Sequence, residues 1–271
     1  MIALKEPECC APDGARTVVH FTLRRRATRP QLKRDALGRN IDFLTMPSTS
    51  CRALLFDLDG ILVDSTECVT RTWRRWAQAH GLDPEAILAV AHGRRTIDTV
   101  RLVAPHLAAE AEVATLAQSE ADETAGVYEV PGARALLLAL PPRAWAVITA
   151  GIRPVATLRL RHTGLPEPAV LITAEDLCHG KPDPEGYLAA AARLAVPPPD
   201  CVVVEDAPAG LEAAQAAGMR AIALTTTHPA EQLSAATWGL RSLSQLRAIP
   251  HGPEVRLEFE DPLWSSDDVA A

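Results

Sequence analysis

Lysine is nearly absent from this chain. Of 27 basic residues among 271, only Lys5, Lys33 and Lys181 are lysines, so arginine carries almost all of the positive charge. No apolar run approaches the length of about 18 residues that a membrane-crossing helix needs, which excludes that kind of span. The six cysteines, at positions 9, 10, 51, 68, 178 and 201, form no CxxC pair and have no histidines at zinc-finger distances. They read as free thiols, which points to a reducing, cytoplasmic setting. A surplus of positive charge is missing too. The formal net charge of −7 argues against nucleic acid or an anionic membrane as the main partner. Internal repeats are also lacking.

What is present is the composition of a soluble globular protein, 48% hydrophobic and 23% charged, long enough for one domain with an insertion or for two domains. Residues 1–50 stand apart. They carry nine basic and five acidic residues with no sustained periodicity. They have neither the apolar core of a secretory signal nor the acid-poor character of a targeting peptide. They read as a disordered accessory extension, with Met46 as an alternative start just ahead of the first strand. Nucleic-acid binding by the Arg24-Arg25-Arg26 cluster is not expected.

The stretch Leu54 to Ser65, LLFDLDGILVDS, organises the rest. An apolar strand delivers Asp57 and Asp59 at its end, and Gly60 then turns the backbone. Two carboxylates so placed cannot both be buried without a partner, because an unpaired buried charge is costly. A bound cation would resolve that cost, and an aspartate beside it is a plausible nucleophile towards phosphorus. A strand running into an Asp/Gly turn accounts for the same residues without any chemistry.

Helical patterning follows. Asp64 and Glu67 are spaced as a capping pair, Val69, Trp73 and Trp76 share one face, and Gly81 ends the helix. The two tryptophans are expected in a core. Further helices are predicted over 84–91, 96–104 and 106–125, the first two separated by His92-Gly93-Arg94-Arg95. Residues 65–128 thus form a helical block without strand signals. Beyond it, strands at 145–148, 169–172, 201–204 and 221–224 alternate with helices at 133–140, 153–163, 184–195 and 211–217. This alternation predicts an α/β fold, a Rossmann-like doubly wound parallel sheet with a small helical cap inserted after the first strand. An edge strand is predicted near 238–243, and the acidic segment 251–271 reads as a solvated tail. The expected domains are a core of 51–64 with 129–250 and a cap of 65–128.

In such sheets ligands bind beyond the carboxyl ends of the strands. Asp57 and Asp59, Thr149, Lys181, and Glu205 with Asp206 all fall at or just after predicted strand ends. Three or four carboxylates attract a divalent cation, and all-oxygen donors favour Mg²⁺. A lysine, a hydroxyl and the exposed N–H groups of Thr149-Ala150-Gly151 suit a phosphate. Lys181 is the only lysine after residue 33, which suits a compact point charge rather than a planar fork.

With these motifs in order, the sequence resembles the haloacid dehalogenase-like phosphohydrolases over 52–246. The resemblance rests on FDLDGILVDS at 56–65, ITAG at 148–151, GKPDPEGY at 180–187 and VVVEDAPAGLEAAQAAGM at 202–219. HGRRT at 92–96, PGARALL at 131–137 and TTTH at 225–228 look most like the sugar-phosphate and glycerol-phosphate phosphatases, the 2-deoxyglucose-6-phosphate phosphatase type. The resemblance implies a Mg²⁺-dependent phosphatase acting on small phosphomonoesters, with Asp57 as nucleophile and Asp59 as general acid and base. It implies Thr149 and Lys181 as holders of the phosphoryl group. It also implies a metal held by Asp57, Asp206 and the Asp59 carbonyl, with Glu205 in support. Ile61 stands where threonine is frequent in the family. His92, Arg94 and Arg95, at a break in the cap, are expected to read the substrate. A solvated basic turn explains them equally. The alternatives are a hexose-phosphate mutase similar to beta-phosphoglucomutase, using the same aspartates, and a non-catalytic binding protein, which the complete acidic set disfavours. The expected partner is a small molecule bound by a monomer.

Overall fold

A computed structural model describes residues 46–91 and 93–265 of the chain. His92 and nearly all of the expected N-terminal extension lie outside the described residues. Strand β1 (Ser48–Cys51) leads into β2 (Ala53–Phe56) and the short β3 (Val63–Asp64). Four helices come next: α1 (Thr66–His80), α2 (Pro84–Ala91), α3 (Thr96–Val103) and α4 (Ala109–Ala121). After β4 (Tyr128–Glu129) and α5 (Ala133–Ala139), the chain runs through β5 (Trp145–Ile148), α6 (Arg153–Thr163) and β6 (Leu171–Ile172). It continues with α7 (Glu185–Leu194), β7 (Cys201–Glu205), α8 (Pro208–Ala216), β8 (Arg220–Leu224) and β9 (Trp238–Leu240). Three strands close the described chain: β10 (Leu246–His251), β11 (Glu254–Phe259) and β12 (Trp264–Ser265).

The main sheet has the order β12-β9-β8-β7-β2-β5-β6, parallel throughout except for β12. Successive strands add outward on one side of β2 as far as β6, and the chain then crosses to the other side at β7. This reversal beside β2 opens a crevice at the strand ends. Side chains alternate between the two faces as a pleated strand requires. Leu54, Phe56, Val202 and Val204 join one buried cluster with Leu136, Leu137 and Leu160. Ala53, Leu55, Cys201 and Val203 join the other with Tyr187, Ala190 and Leu211.

The helices α1 to α4 enclose a smaller apolar cluster of their own, in which Trp73 and Trp76 meet edge to face at 5.4 Å between ring centroids. The two chain passages between this cap and the sheet are themselves paired, Val63 with Glu129 and Asp64 with Tyr128. Periodicity did not announce so short a ribbon at the end of the helical block. The Asp64–Glu67 capping pair also forms differently. Ser65 occupies the N-cap without a side-chain cap bond, and Asp64 Oδ1 accepts from the Thr66 N–H at 3.1 Å.

The C-terminal expectation needs correction. Residues 254–259 are not a solvated tail but the middle strand of a three-stranded antiparallel sheet, β1-β11-β10. In Glu254-Val255-Arg256-Leu257-Glu258-Phe259, Val255, Leu257 and Phe259 point into the core while the charges stay outside, and the acidic content hid this alternation. Ser48 to Cys51, expected to fall mostly within the extension, is its paired strand, and β12 takes the sheet edge that 238–243 was expected to occupy. Leu257→Ala is therefore expected to cost about 2–5 kcal/mol in denaturant unfolding. A loss below about 0.5 kcal/mol, typical of a surface change, would place this strand outside the core.

Candidate active site

Strand β2 ends at Phe56, and the Asp57 N–H still joins the sheet by donating to the Val204 carbonyl at 3.0 Å. The Asp57 side chain therefore projects from the centre of the crevice. Gly60 then adopts φ +87°, and a Cβ there would lie 1.9 Å from Asp206 Oδ2. Only glycine lets the turn after β2 approach the end of β7 so closely. Strand β7 ends at Glu205 and is followed by Asp206, and β5 is followed by Thr149. Lys181, from the loop before α7, donates to Asp57 Oδ1 and, at 2.5 Å, to Glu205 Oε1.

Glu205 is fully engaged. Its Oε1 also accepts from the Tyr187 hydroxyl at 2.7 Å, and its Oε2 accepts from the N–H groups of Asp206 and Ala207 at 3.0 and 3.2 Å. Gly210 makes room for it, since a Cβ there would lie 1.8 Å from Oε1. Asp206 Oδ2 accepts from the Thr227 hydroxyl at 2.5 Å, and the Asp206 carbonyl faces His228 Nδ1 at 3.0 Å. Thr226 Oγ1 donates to the Gly60 carbonyl at 2.7 Å, tying this threonine run to the turn after β2.

The ligand atoms of Asp57, Glu205 and Asp206 lie within 4.8 Å of one another, and all three residues are buried. One ammonium, Lys181, faces three carboxylates. Burial pushes the Asp57 carboxyl up to about 7 despite the pull of Lys181, with Glu205 and Asp59 adding to the rise. Burial and the charges of Glu205 and Asp57 also hold Asp206 well above its usual range. Burial works against the Lys181 charge, yet Asp57 and Glu205 raise its pKa well above the ordinary value. An uncompensated excess of buried negative charge is what a divalent cation relieves, and these oxygen donors suit a hard one. A second group, His179, Asp183 and Glu185, is mostly exposed, and Glu185 is spent on the N–H groups of Cys178 and His179.

Above the crevice a cleft separates sheet and cap. Asp57, Asp59, Thr149, Ala150, Gly151 and Asp206 line its floor, and Trp73, Gly93 and Arg94 line its roof. Trp73 thus serves the cap core and also borders the cleft. Thr149 Oγ1 accepts from the Gly151 N–H at 3.0 Å, which shapes the ITAG turn at the cleft floor. Lys181 lines a smaller pocket together with Thr149, Ala150 and Tyr187.

Of the three cap residues expected to read a substrate, the structure places Arg94 in the cleft wall and turns Arg95 elsewhere. The Arg95 guanidinium pairs with Asp98 at 2.7 Å and donates to the Leu177 carbonyl of the core at 3.0 Å, with its side chain 11% exposed. It is a cap-to-core tie, and its neutralising partner Asp98 lay three residues away in the sequence.

Asp59 is held by partners from outside the strand that delivers it. Its Oδ1 accepts from Ser65 Oγ at 2.7 Å and from Arg159 Nη1 at 2.7 Å. Arg159 Nη2 donates to Glu120 Oε2 of α4 at 2.8 Å. Burial lifts the Glu120 carboxyl above its usual range against the pull of Arg159. Ser65 sits inside the 56–65 motif and could have been noticed there. Arg159 and Glu120 lie within ordinary helical patterns, and no local signal marks them.

This geometry bears comparison with known proteins. The family model "haloacid dehalogenase-like hydrolase" matches residues 51–218, well over half of the chain and all four motifs except the last residue of the fourth. The chain belongs to the haloacid dehalogenase-like hydrolases. Among its relatives, this hydrolase is 44% identical over 201 residues to hexitol phosphatase A of Escherichia coli, covering 72% of the chain and 93% of the relative. It is 35% identical over 240 residues to glycerol-1-phosphate phosphohydrolase 2 of Saccharomyces cerevisiae, covering 82% and 96%. It is 30% identical over 245 residues to 2-deoxyglucose-6-phosphate phosphatase 2 of the same yeast, covering 80% and 99%. Among solved structures, the hydrolase matches beta-phosphoglucomutase of Clostridium difficile with a TM-score of 0.62 at 22% identity, covering 73% and 93% of the two chains. At that identity the likeness concerns the fold alone.

Proposed function

We infer that this hydrolase is a Mg²⁺-dependent phosphatase of small phosphorylated sugars or polyols, working through an aspartyl-phosphate on Asp57. The observation that carries this reading is the buried group of Asp57, Glu205 and Asp206 around Lys181 at the floor of the cleft between sheet and cap. Asp57 and Asp206, with the Asp59 backbone carbonyl, would hold the cation. Glu205, occupied by Lys181, Tyr187 and two N–H groups, supports from behind. When bound, the cation neutralises charge on the phosphoryl oxygens, the main requirement of phosphoryl transfer.

The remaining work falls to the chain. An Asp57 oxygen bonds to phosphorus as the bond from phosphorus to the alcohol oxygen breaks, and Asp59 passes a proton to the departing alcohol. Asp59 then takes a proton from water, whose oxygen displaces Asp57 and frees phosphate. The Thr149 hydroxyl and the Ala150 N–H orient the phosphoryl group, the Gly151 N–H fixes the Thr149 oxygen, and Lys181 holds positive charge at Asp57. Arg94 at the cleft wall suits substrate hydroxyls. The names of the relatives support sugar and polyol phosphates as the substrate class.

The test is phosphate release, with Mg²⁺, from 2-deoxyglucose 6-phosphate, glycerol 1-phosphate, sorbitol 6-phosphate, fructose 1-phosphate and beta-glucose 1-phosphate. Release from the panel supports the reading, and the ranking identifies the substrate. Conversion of glucose 1-phosphate to glucose 6-phosphate without free phosphate would replace it with a mutase. Inertness towards every ester would overturn it.

A further inference from the structure

Helix α6 carries three arginines. Arg153 and Arg161 are exposed, whereas the Arg159 side chain is 6% exposed. A buried guanidinium persists only where carboxylates meet it. Here its two ends meet different parts of the molecule: Asp59 in the turn after β2, and Glu120 on α4 of the cap. One planar side chain therefore spans the boundary that a substrate must cross. Ser65, at the entry to the cap, donates to the same Asp59 oxygen. Two donors at the cap boundary thus fix the rotation of this carboxylate through Oδ1, leaving Oδ2 to exchange a proton. Arginine does not lose its own proton, so Arg159 can orient Asp59 but not replace it.

We propose that Arg159 is a positioning residue that couples cap closure to the general acid: seated between Glu120 and Asp59, it aligns Asp59 when the cap is down and loses that hold when Glu120 lifts away. This rests on the phosphatase reading above. In the first step an Asp57 oxygen bonds to phosphorus, the bond from phosphorus to the leaving oxygen breaks, and Asp59 Oδ2 gives its proton to that oxygen. A polyol oxygen leaves poorly without the proton, whereas p-nitrophenolate leaves well without it. Loss of alignment therefore separates the two substrates, and a general loss of structure does not.

The experiment follows alcohol release in a single turnover with Mg²⁺ and excess enzyme, from glycerol 1-phosphate and from p-nitrophenyl phosphate. The proteins are wild type, Arg159→Met, Arg159→Lys, Glu120→Gln and the double variant Glu120→Gln/Arg159→Met, each checked by thermal melting. Arg159→Met is expected to slow the polyol ester about 100-fold and the nitrophenyl ester at least about tenfold less. Arg159→Lys recovers part of the polyol rate. Glu120→Gln slows the polyol ester selectively, and adding it to Arg159→Met costs less than about twofold more, because the two residues act as one unit. Equal losses on both esters, or independent losses in the double variant, overturn the proposal while the phosphatase reading stands. A wild type inert towards both esters overturns both. If Arg159→Met does not fold, Arg159→Lys and Glu120→Gln decide by the same criterion of selective against equal loss.

Discussion

Asp57→Asn is expected to abolish phosphate release, lowering turnover by on the order of 10⁴-fold or more, as removal of a nucleophile does elsewhere, while leaving the protein folded. The amide nearly matches the carboxylate in size but is a poor nucleophile and carries no charge. Its effect on stability should be small and of opposite sign in the absence of metal. Asp57 sits buried beside Glu205 and Asp206, and burial already pushes its carboxyl up to about 7. Removing that charge relieves a like-charge cluster, and Lys181 keeps Glu205 as its partner at 2.5 Å. Steady-state phosphate release and a melting curve check both parts. A folded variant that still turns over would end the nucleophile assignment and move attention to Asp59 or to water.

The contrast between Asp57 and Arg159 shows what a sequence can disclose. Asp57, Thr149 and Glu205–Asp206 each follow an apolar strand and precede a turn, so local pattern alone places them at strand ends, and the parallel topology brings those ends together. Lys181 lies in a loop and is visible for another reason, the scarcity of lysine elsewhere. Arg159 meets Asp59 across 100 positions and Glu120 across 39, and both Arg159 and Glu120 lie in helices whose periodicity concerns packing only. Nothing local distinguishes it from Arg161, two positions on, which is exposed. Arg95 failed in the opposite direction. Its place in a basic turn suggested a substrate contact, but Asp98 one helical turn away neutralises it and the Leu177 carbonyl draws it to the core. The pairing of Cys51 with Val255 is likewise non-local, so an acidic segment read as a tail proved to be a strand. Charge counts describe a segment's surface, and its apolar alternation describes its place.

Chelation of divalent metal by EDTA is expected to stop turnover and Mg²⁺ to restore it, and pH should govern how readily it does so. The Asp57 carboxyl is raised from 3.8 to about 7 and Asp206 is held well above the ordinary range, both chiefly by burial. A cation that binds their ionised forms must displace protons, so apparent Mg²⁺ affinity should fall by about tenfold per pH unit below 7 for each proton displaced. The stability of the metal-free protein should move the other way. A group whose folded pKa is raised contributes stability that is full below its unfolded pKa, and this is lost as pH rises through the folded value. The window is therefore from about 4 to about 7 for Asp57. The metal-free melting temperature should accordingly fall between pH 5.5 and 8, and the increment from Mg²⁺ should be larger at pH 8. Opposing groups do not mask this. Asp176, partly buried but bonded to Thr173 and Arg193, has its pKa lowered and is already ionised across the window, and Lys181 is raised far above it. Asp57→Asn should flatten the metal-free profile. Full activity in EDTA would exclude a metal at this site, and a melting temperature that rises with pH in the metal-free protein would show that the three carboxylates do not form the strained cluster from which the cation site follows.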